Sequence, residues 1–122
     1  MDKIKIGIFG LRRGRALIHC IQVLDGEVVA VCDSNEARVQ KAQEVIGSDV
    51  PAFTDFEEFF KVEMDCVYLA NYFTDHAKVA ARFLEKGVHV LSECTSNVTM
   101  SDGVLLVRAA QKSRAQYMLA EN

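Results

Sequence analysis

The chain has 122 residues, half of them hydrophobic, and a net charge of -3, which predicts one domain with a substantial buried core. This acidic balance argues against a nucleic-acid-binding protein, which usually presents a strongly basic face. No apolar run approaches the roughly 18 residues that cross a membrane, and the four cysteines lack zinc-ligand spacing, so we expect a soluble cytoplasmic protein without metal or disulfides.

The first half of the chain alternates between apolar strands and amphipathic helices. A strand at 4–10 leads into a helix with an apolar face at 17–24. A second strand at 27–33 precedes a helix that Ser34 is predicted to cap and Gly47 to end. Both strands are apolar nearly throughout, which is typical of parallel strands covered by helices on both faces.

The second half continues the alternation, with strands predicted at 51–53, 65–71, 88–93 and 115–120. The helices between them are indicated by a Thr-Asp-Phe-Glu capping box at 54–57, a helical pattern at 75–86 and a Thr99–Asp102 cap. Because βα connections are right-handed, residues 1–122 predict one α/β domain, a doubly wound parallel sheet of about six strands in the Rossmann order 3-2-1-4-5-6, with helices on both faces.

The loop after the first strand reads Gly10-Leu11-Arg12-Arg13-Gly14 and is a candidate phosphate-binding loop. Compared with the fingerprint G-x-G-x-x-G, Arg12 replaces the middle glycine and the last glycine comes one residue early. Amides at a helix N-terminus suit a pyrophosphate, and either arginine adds positive charge. The alternative is that Gly10 and Gly14 only let the strand and the helix pack closely.

Asp33 ends the second strand, about 20 residues beyond the glycine loop, where a carboxylate can accept hydrogen bonds from a ribose. Its charge repels a 2′-phosphate and therefore favours NAD over NADP, although Ser34 and Arg38 leave NADP open. A helix-capping carboxylate is the alternative interpretation of Asp33. Together with the first loop, Asp33 predicts dinucleotide binding at the carboxyl edge of the sheet.

The three histidines give weaker indications. His19 follows an apolar helix position and is expected to pack. His89 alternates with two valines in a strand and is expected at the surface. His76 begins a helix near the cleft, where it is either a site residue or a polar residue of the first turn.

The whole chain resembles the N-terminal cofactor domain of the glucose–fructose oxidoreductase, inositol dehydrogenase and rhizopine-catabolism (Gfo/Idh/MocA) family. The specific segments are "VPAFTDFEEFF" (50–60) and "ANYFTDHAKVAARFLEKGVHVLSE" (70–93). The resemblance implies an oxidoreductase domain in which NAD exchanges hydride with a hydroxyl-bearing carbon of a sugar or cyclitol. It places the pyrophosphate at Gly10, Leu11, Arg12 and Arg13, the adenosine ribose at Asp33, the nicotinamide side at Asn71, Tyr72 and His76, and the inner ribose at Glu93.

Three departures from this family bear on activity. The family's Glu-Lys-Pro motif reads Glu93-Cys94-Thr95, and a neutral thiol is a poor substitute for the missing ammonium group. The family's Thr-Pro after the fourth strand reads Asn71-Tyr72. Relatives continue into a substrate-binding domain, whereas this sequence stops at Asn122, so we expect no turnover by these residues alone and assign no catalytic residue. Apolar surface left at the last strand would then favour a homo-oligomer.

Two alternatives stay open, and with them the question of whether the chain belongs to an enzyme. The missing lysine favours a non-catalytic dinucleotide-binding or interaction module. A methyltransferase-like domain that binds S-adenosylmethionine also uses a glycine loop and an acidic residue after the second strand. The segment around Glu93 and the predicted all-parallel sheet argue against that domain.

Overall fold

The computed structural model describes residues 2–121, whose six strands form one parallel sheet. The strands are β1 (Lys5–Phe9), β2 (Glu27–Cys32), β3 (Ala52–Phe53), β4 (Cys66–Leu69), β5 (His89–Glu93) and β6 (Tyr117–Ala120). They pair in the order β3-β2-β1-β4-β5-β6, and every pair is parallel. This topology confirms the predicted Rossmann order.

Five α-helices connect the strands: α1 (Leu17–Val23), α2 (Glu36–Ile46), α3 (Phe56–Phe60), α4 (His76–Glu85) and α5 (Met100–Lys112). Short 3-10 turns, Gly14–Ala16 and Phe73–Asp75, precede α1 and α4. Each strand–helix junction lies at the carboxyl edge of the sheet, where parallel strands end. The fold therefore gathers five loops along one edge.

The two faces of the sheet carry separate apolar clusters. Ile8, Val31 and Tyr68 pack on one face with α1 and α2. Val67 and Leu69, the neighbours of Tyr68 in β4, point to the other face, as the two-residue period of a strand requires, and pack with α3, α4 and α5. Burial of such side chains stabilises the fold by about 1.5–3 kcal/mol each.

Two of the predicted helix caps are wrong by one residue. Asn35 rather than Ser34 caps α2, and its side chain accepts a hydrogen bond from the Arg38 amide at 3.3 Å. Asp55 rather than Thr54 caps α3. In both loops the chain stays extended for one more residue before it turns, and an Asx side chain then serves as the acceptor.

The third predicted cap, Thr99, is confirmed, because its hydroxyl accepts a hydrogen bond from the Asp102 amide at 3.1 Å. No helix among residues 2–121 is long and apolar enough to cross a membrane.

Helix α1 is shorter than its sequence pattern predicts. Ile18 and Ile21 are buried against the sheet, but Leu24 lies beyond the helix end and is 81% exposed. His19 is exposed, which corrects the expectation that it packs, and Cys20 is exposed as well. They follow Ile18 by one and two positions, and successive helical residues turn by about 100°, so both point away from the sheet.

Candidate functional site

A cleft of about 750 Å³ lies at the carboxyl edge of the sheet, where the loops after β1, β2, β4 and β5 meet. Every predicted site residue except Leu11 lines this cleft: Gly10, Arg12, Arg13, Asp33, Ser34, Arg38, Asn71, Tyr72, His76, Glu93 and Cys94. Leu11 is 2% exposed and belongs to the apolar cluster beneath the loop. The convergence arises because the strand order reverses between β1 and β4, so that loops distant in sequence share one crevice.

The two glycines of the first loop serve close packing. Gly10 has a φ of +94°, and an added Cβ would come within 2.3 Å of the Ala70 carbonyl group. At Gly14 an added Cβ would come within 2.7 Å of Ile8 Cγ2. Both glycines therefore allow the loop to pack closely against its neighbours.

The backbone amides of Arg12 and Arg13 donate no hydrogen bond to another group among residues 2–121. The amides on either side are used, since Gly10 donates to the Cys32 carbonyl at 2.9 Å and Gly14 donates to the Gly10 carbonyl at 3.1 Å. Both arginine side chains are exposed at the cleft. Free amides beside two guanidinium groups form a site that suits the oxygens of a phosphate.

The helix N-terminus contributes less to this loop than the sequence predicts. Residues Gly14–Ala16 form a 3-10 turn, and α1 begins only at Leu17 and spans seven residues. A short helix that starts further along the chain places its dipole away from the loop. Positive charge at the loop therefore comes mainly from Arg12 and Arg13.

Asp33 braces the first loop against the start of α2. The residue is 5% exposed, and its carboxylate accepts hydrogen bonds from the Leu11 and Asn35 amides, each at 2.8 Å. The Arg38 guanidinium lies 3.7 Å from the same carboxylate. A carboxylate has about four acceptor positions, so two amides leave acceptor capacity toward the cleft.

The contact between Asp33 and Asn35 follows a common local pattern, in which an aspartate side chain accepts a hydrogen bond from the amide two residues further on. This contact can be predicted from the sequence. The contact with Leu11 joins residues 22 positions apart and has no local signal.

Glu93 at the end of β5 has two polar partners. The Tyr68 hydroxyl donates a hydrogen bond to its carboxylate, and Arg13 Nε lies 3.5 Å from Oε1 across the cleft. Burial, with the neighbouring Glu93 as a second cause, raises the pKa of Tyr68, so the phenol stays protonated and remains a donor. Sequence patterns do not reveal Tyr68, since it reads as an apolar position within a strand.

His76 borders the cleft but offers it no free ring nitrogen. The side chain is 1% exposed, with Nδ1 at 2.9 Å from the Thr95 carbonyl oxygen and Nε2 at 2.9 Å from the Asn71 carbonyl oxygen. Both nitrogens are therefore engaged by the protein backbone. A contact between His76 and a nicotinamide would have to use the carbon atoms of the ring.

The remaining residues near His76 differ in their hydrogen bonding. Asn71 Oδ1 is buried without a hydrogen-bond partner among the described residues, an orphan acceptor of the kind that a ligand donor satisfies. The Tyr72 ring is 69% exposed beside Phe73. Cys94 is exposed, and its Sγ lies 3.6 Å from the Ala120 carbonyl oxygen.

A second cavity, of about 540 Å³, lies between the ends of α4 and α5 and is lined by Lys86, Arg108, Lys112 and Arg114. Lys86 and Lys112 lie at the C-termini of α4 and α5, where positive charge offsets the helix dipole. No strand ends there, because both helices run toward the amino edge of the sheet. Within residues 2–121, no group of three or more metal-ligating side chains is arranged to hold an ion.

The family model described as "Oxidoreductase family, NAD-binding Rossmann fold" matches residues 4–121. The chain belongs to the Gfo/Idh/MocA family. This match confirms the family predicted from the segments around Phe53 and Glu93, and NAD is the cofactor of that family.

The chain is also similar to individual members. It is 28% identical over 133 residues to glycosyl hydrolase family 109 protein 1 of Bacteroides fragilis, which covers all of this chain and 29% of that protein. The WlbA dehydrogenase of Bordetella pertussis, solved with NADH and UDP-GlcNAcA, is 24% identical with a TM-score of 0.87 over 98% of this chain and 37% of that chain.

An apo scyllo-inositol dehydrogenase from Lactobacillus casei is 22% identical with a TM-score of 0.89, over 98% of this chain and 36% of that chain. The present sequence thus spans about a third of these relatives.

Proposed function

We propose that the cleft binds NAD and forms the cofactor half of an oxidoreductase active site that acts on a sugar-like or cyclitol-like substrate. The observation that carries the proposal is the meeting, in one cleft, of a loop with two free amides and two carboxylates from different strands. When bound, NAD would supply hydride exchange with a carbon atom. The residues of this chain bind and orient it.

The diphosphate is assigned to the loop after β1. The free amides of Arg12 and Arg13 would donate to its oxygens, and their guanidinium groups would balance its charge. A Cβ at position 12 holds the backbone further from the phosphates than glycine does. We therefore expect the arginine side chains to carry more of the binding free energy than the amides do.

The adenosine ribose is assigned to Asp33. Its remaining acceptor positions would take the ribose hydroxyl groups. Its charge would repel the 2′-phosphate of NADP, and Arg38, already within 3.7 Å of this carboxylate, has less attraction left for a phosphate. We therefore propose NAD rather than NADP, with Ser34 and Arg38 at the edge of the adenosine end.

The nicotinamide half is assigned to the loops after β4 and β5. Glu93, held by Tyr68, would accept from the inner ribose, and the orphan Asn71 Oδ1 would accept from the carboxamide. Tyr72 would cover the open side. Because Cys94 replaces the lysine that the family resemblance implies, the group that moves the hydroxyl proton is proposed to lie outside these residues.

The names of the relatives indicate two reaction classes, a dehydrogenase and a glycosyl hydrolase. Glycosidases that depend on NAD exist, so both classes are compatible with one cofactor domain. Both classes act on molecules that carry several hydroxyl groups. We propose that the residues that bind the substrate lie in the part of the relatives that this chain does not cover.

Isothermal titration calorimetry tests the proposal. The 122-residue chain is expected to bind NAD, to bind NADP at least about tenfold more weakly, and to show no heat with S-adenosylmethionine. The paired substitution Arg12→Met with Arg13→Met should weaken NAD at least about tenfold. Arg108→Met with Lys112→Met, which removes two cations from the second cavity, is the matched control and should leave affinity unchanged.

Equal loss in both variants would show that net charge, not this loop, governs binding. S-adenosylmethionine binding without NAD binding would contradict the proposal outright.

A further inference from the structure

The Arg13 side chain reaches across the cleft and pairs with Glu93 on the far side. Arg13 lies in the loop after β1, Glu93 ends β5, and β4 lies between these two strands. Neighbouring strands are about 4.8 Å apart, so the pair spans the carboxyl end of β4 over roughly two strand spacings. Arg13 Nε lies 3.5 Å from Glu93 Oε1. A dinucleotide that extends from Asp33 to Glu93 has to pass the same place and would meet this side chain.

The two partners of Glu93 differ in how firmly they are held. Tyr68 is 4% exposed and packs in the apolar cluster beneath α1 and α2, and its hydroxyl donates to the Glu93 carboxylate. The Arg13 side chain, in contrast, is 62% exposed. An exposed ion pair on a long side chain contributes little to stability and opens readily, whereas a buried phenol keeps its place. Glu93 can therefore stay in position when Arg13 leaves it.

A diphosphate is a stronger partner for Arg13 than Glu93 is. Its oxygens carry more negative charge than one carboxylate, and a guanidinium binds phosphate through two parallel hydrogen bonds. The pair with Glu93 is made at 3.5 Å, outside the roughly 2.7–2.9 Å of a strong charge-assisted hydrogen bond. The Arg13 backbone amide donates no hydrogen bond within residues 2–121, so a phosphate bound there lies beside the guanidinium of the same residue.

We infer that the Arg13–Glu93 pair is a latch, which a diphosphate opens by drawing Arg13 away and which then leaves the Glu93 carboxylate to the nicotinamide half. The chemistry of the ligand rests on the proposed function. Tyr68 holds the carboxylate in place during the exchange. The latch couples the two halves of the dinucleotide, because the diphosphate prepares Glu93 for the inner ribose.

Glu93→Gln removes the latch with little change in shape, since its amide oxygen still accepts a hydrogen bond from Tyr68. A closed latch lowers the affinity for a diphosphate by the fraction of molecules in which it is open, which for an exposed ion pair amounts to about two- to fivefold. ADP lacks the nicotinamide half, so the variant should bind ADP about two- to fivefold more tightly. NAD should gain less, because its inner ribose loses a charged acceptor.

Calorimetry in two backgrounds separates the latch from a simple loss of negative charge. In an Arg13→Met background, Glu93→Gln should leave the ADP affinity unchanged, because the latch is already absent. Asp75→Asn is the matched control and should change the ADP affinity by less than about twofold. Asp75 also lines the cleft, but it forms no ion pair within residues 2–121. Equal gains in both backgrounds, or in Glu93→Gln and Asp75→Asn, would overturn the latch while the proposed function stands.

NMR of the 13C-labelled side-chain carboxyl groups tests the opening itself. ADP does not reach Glu93, yet saturating ADP should move the Glu93 carboxyl resonance toward its position in Arg13→Met. In Arg13→Met, ADP should leave this resonance unmoved. A Glu93 resonance that ADP does not move in the unmodified chain would overturn the latch. If the unmodified chain binds neither ADP nor NAD, the proposed function fails, and opening of the latch by a diphosphate is refuted with it.

Discussion

Asp33→Asn tests the brace between the first loop and α2. The substitution keeps the shape of the side chain but replaces one acceptor oxygen with an NH2 group. Only one of the two amides that now bond to Asp33, those of Leu11 and Asn35, can keep its acceptor, and the other would face a donor. The carboxylate is 6% exposed, so water cannot replace the lost acceptor.

The expected cost follows from these two bonds. A hydrogen bond to a charged group contributes about 1.5–3 kcal/mol, and the substitution removes one such bond and the charge from the other. We expect the free energy of unfolding to fall by about 2–4 kcal/mol. The Tm shift per kcal/mol decreases as the chain becomes longer. For a chain of this size, the expected loss of unfolding free energy corresponds to a Tm lower by about 10 °C.

Thermal and urea unfolding, followed by circular dichroism, measure this change. Asp25→Asn is the matched control, because Asp25 is exposed and forms only a surface ion pair with Lys3 at 3.2 Å. The control should stay within about 0.5 kcal/mol of the unmodified chain. If Asp33→Asn also stays within that range, Asp33 does not brace the loop and the hydrogen bonds assigned to it carry no stability.

Three further predictions concern the loop and the thiols. Gly10→Ala should lower the free energy of unfolding by about 3 kcal/mol or more, because the φ of +94° at Gly10 and the nearby Ala70 carbonyl group leave no room for a Cβ. Urea titration measures this change, and an unchanged midpoint would contradict it. Arg13→Met should weaken NAD about tenfold at low salt and less at high salt, and an effect independent of salt would exclude a charge contact with the diphosphate. Burial raises the pKa of the Cys32 thiol to about 12. Between about pH 7 and pH 9, a disulfide reagent should therefore modify the exposed Cys20 rapidly and Cys32 only after unfolding. Rapid modification of Cys32 in the native state would refute its burial.

The fold could be predicted from the sequence because the patterns that indicate it are local. Apolar runs mark the strands, and Gly26, Gly47 and Gly87 interrupt the pattern where the chain turns. Parallel topology then brings the strand ends together without any knowledge of side-chain contacts, which is why residues as distant as Gly10 and Glu93 could be placed in one cleft.

The roles of individual side chains were less accessible, because they depend on contacts between distant segments. Leu11 was assigned to the site from its place in the loop, but its apolar side chain turns into the core. His76 reaches Thr95, 19 positions away, and Tyr68 reaches Glu93, 25 positions away. Local patterns report burial and turns, whereas such pairings follow only from the assembled sheet. The helix caps failed for a smaller reason, since adjacent Ser, Asn, Thr and Asp residues all suit a cap.

NMR titration of the 15N-labelled chain with NAD tests the central claim most directly, because it reports where the dinucleotide binds. The backbone amides of Arg12, Arg13, Asp33 and Glu93 should shift in proportion to one another and saturate together. The amide of Arg108, beside the second cavity, should stay unmoved. Shifts confined to the second cavity, or none at millimolar NAD, would show that the carboxyl edge of this sheet is not a dinucleotide site.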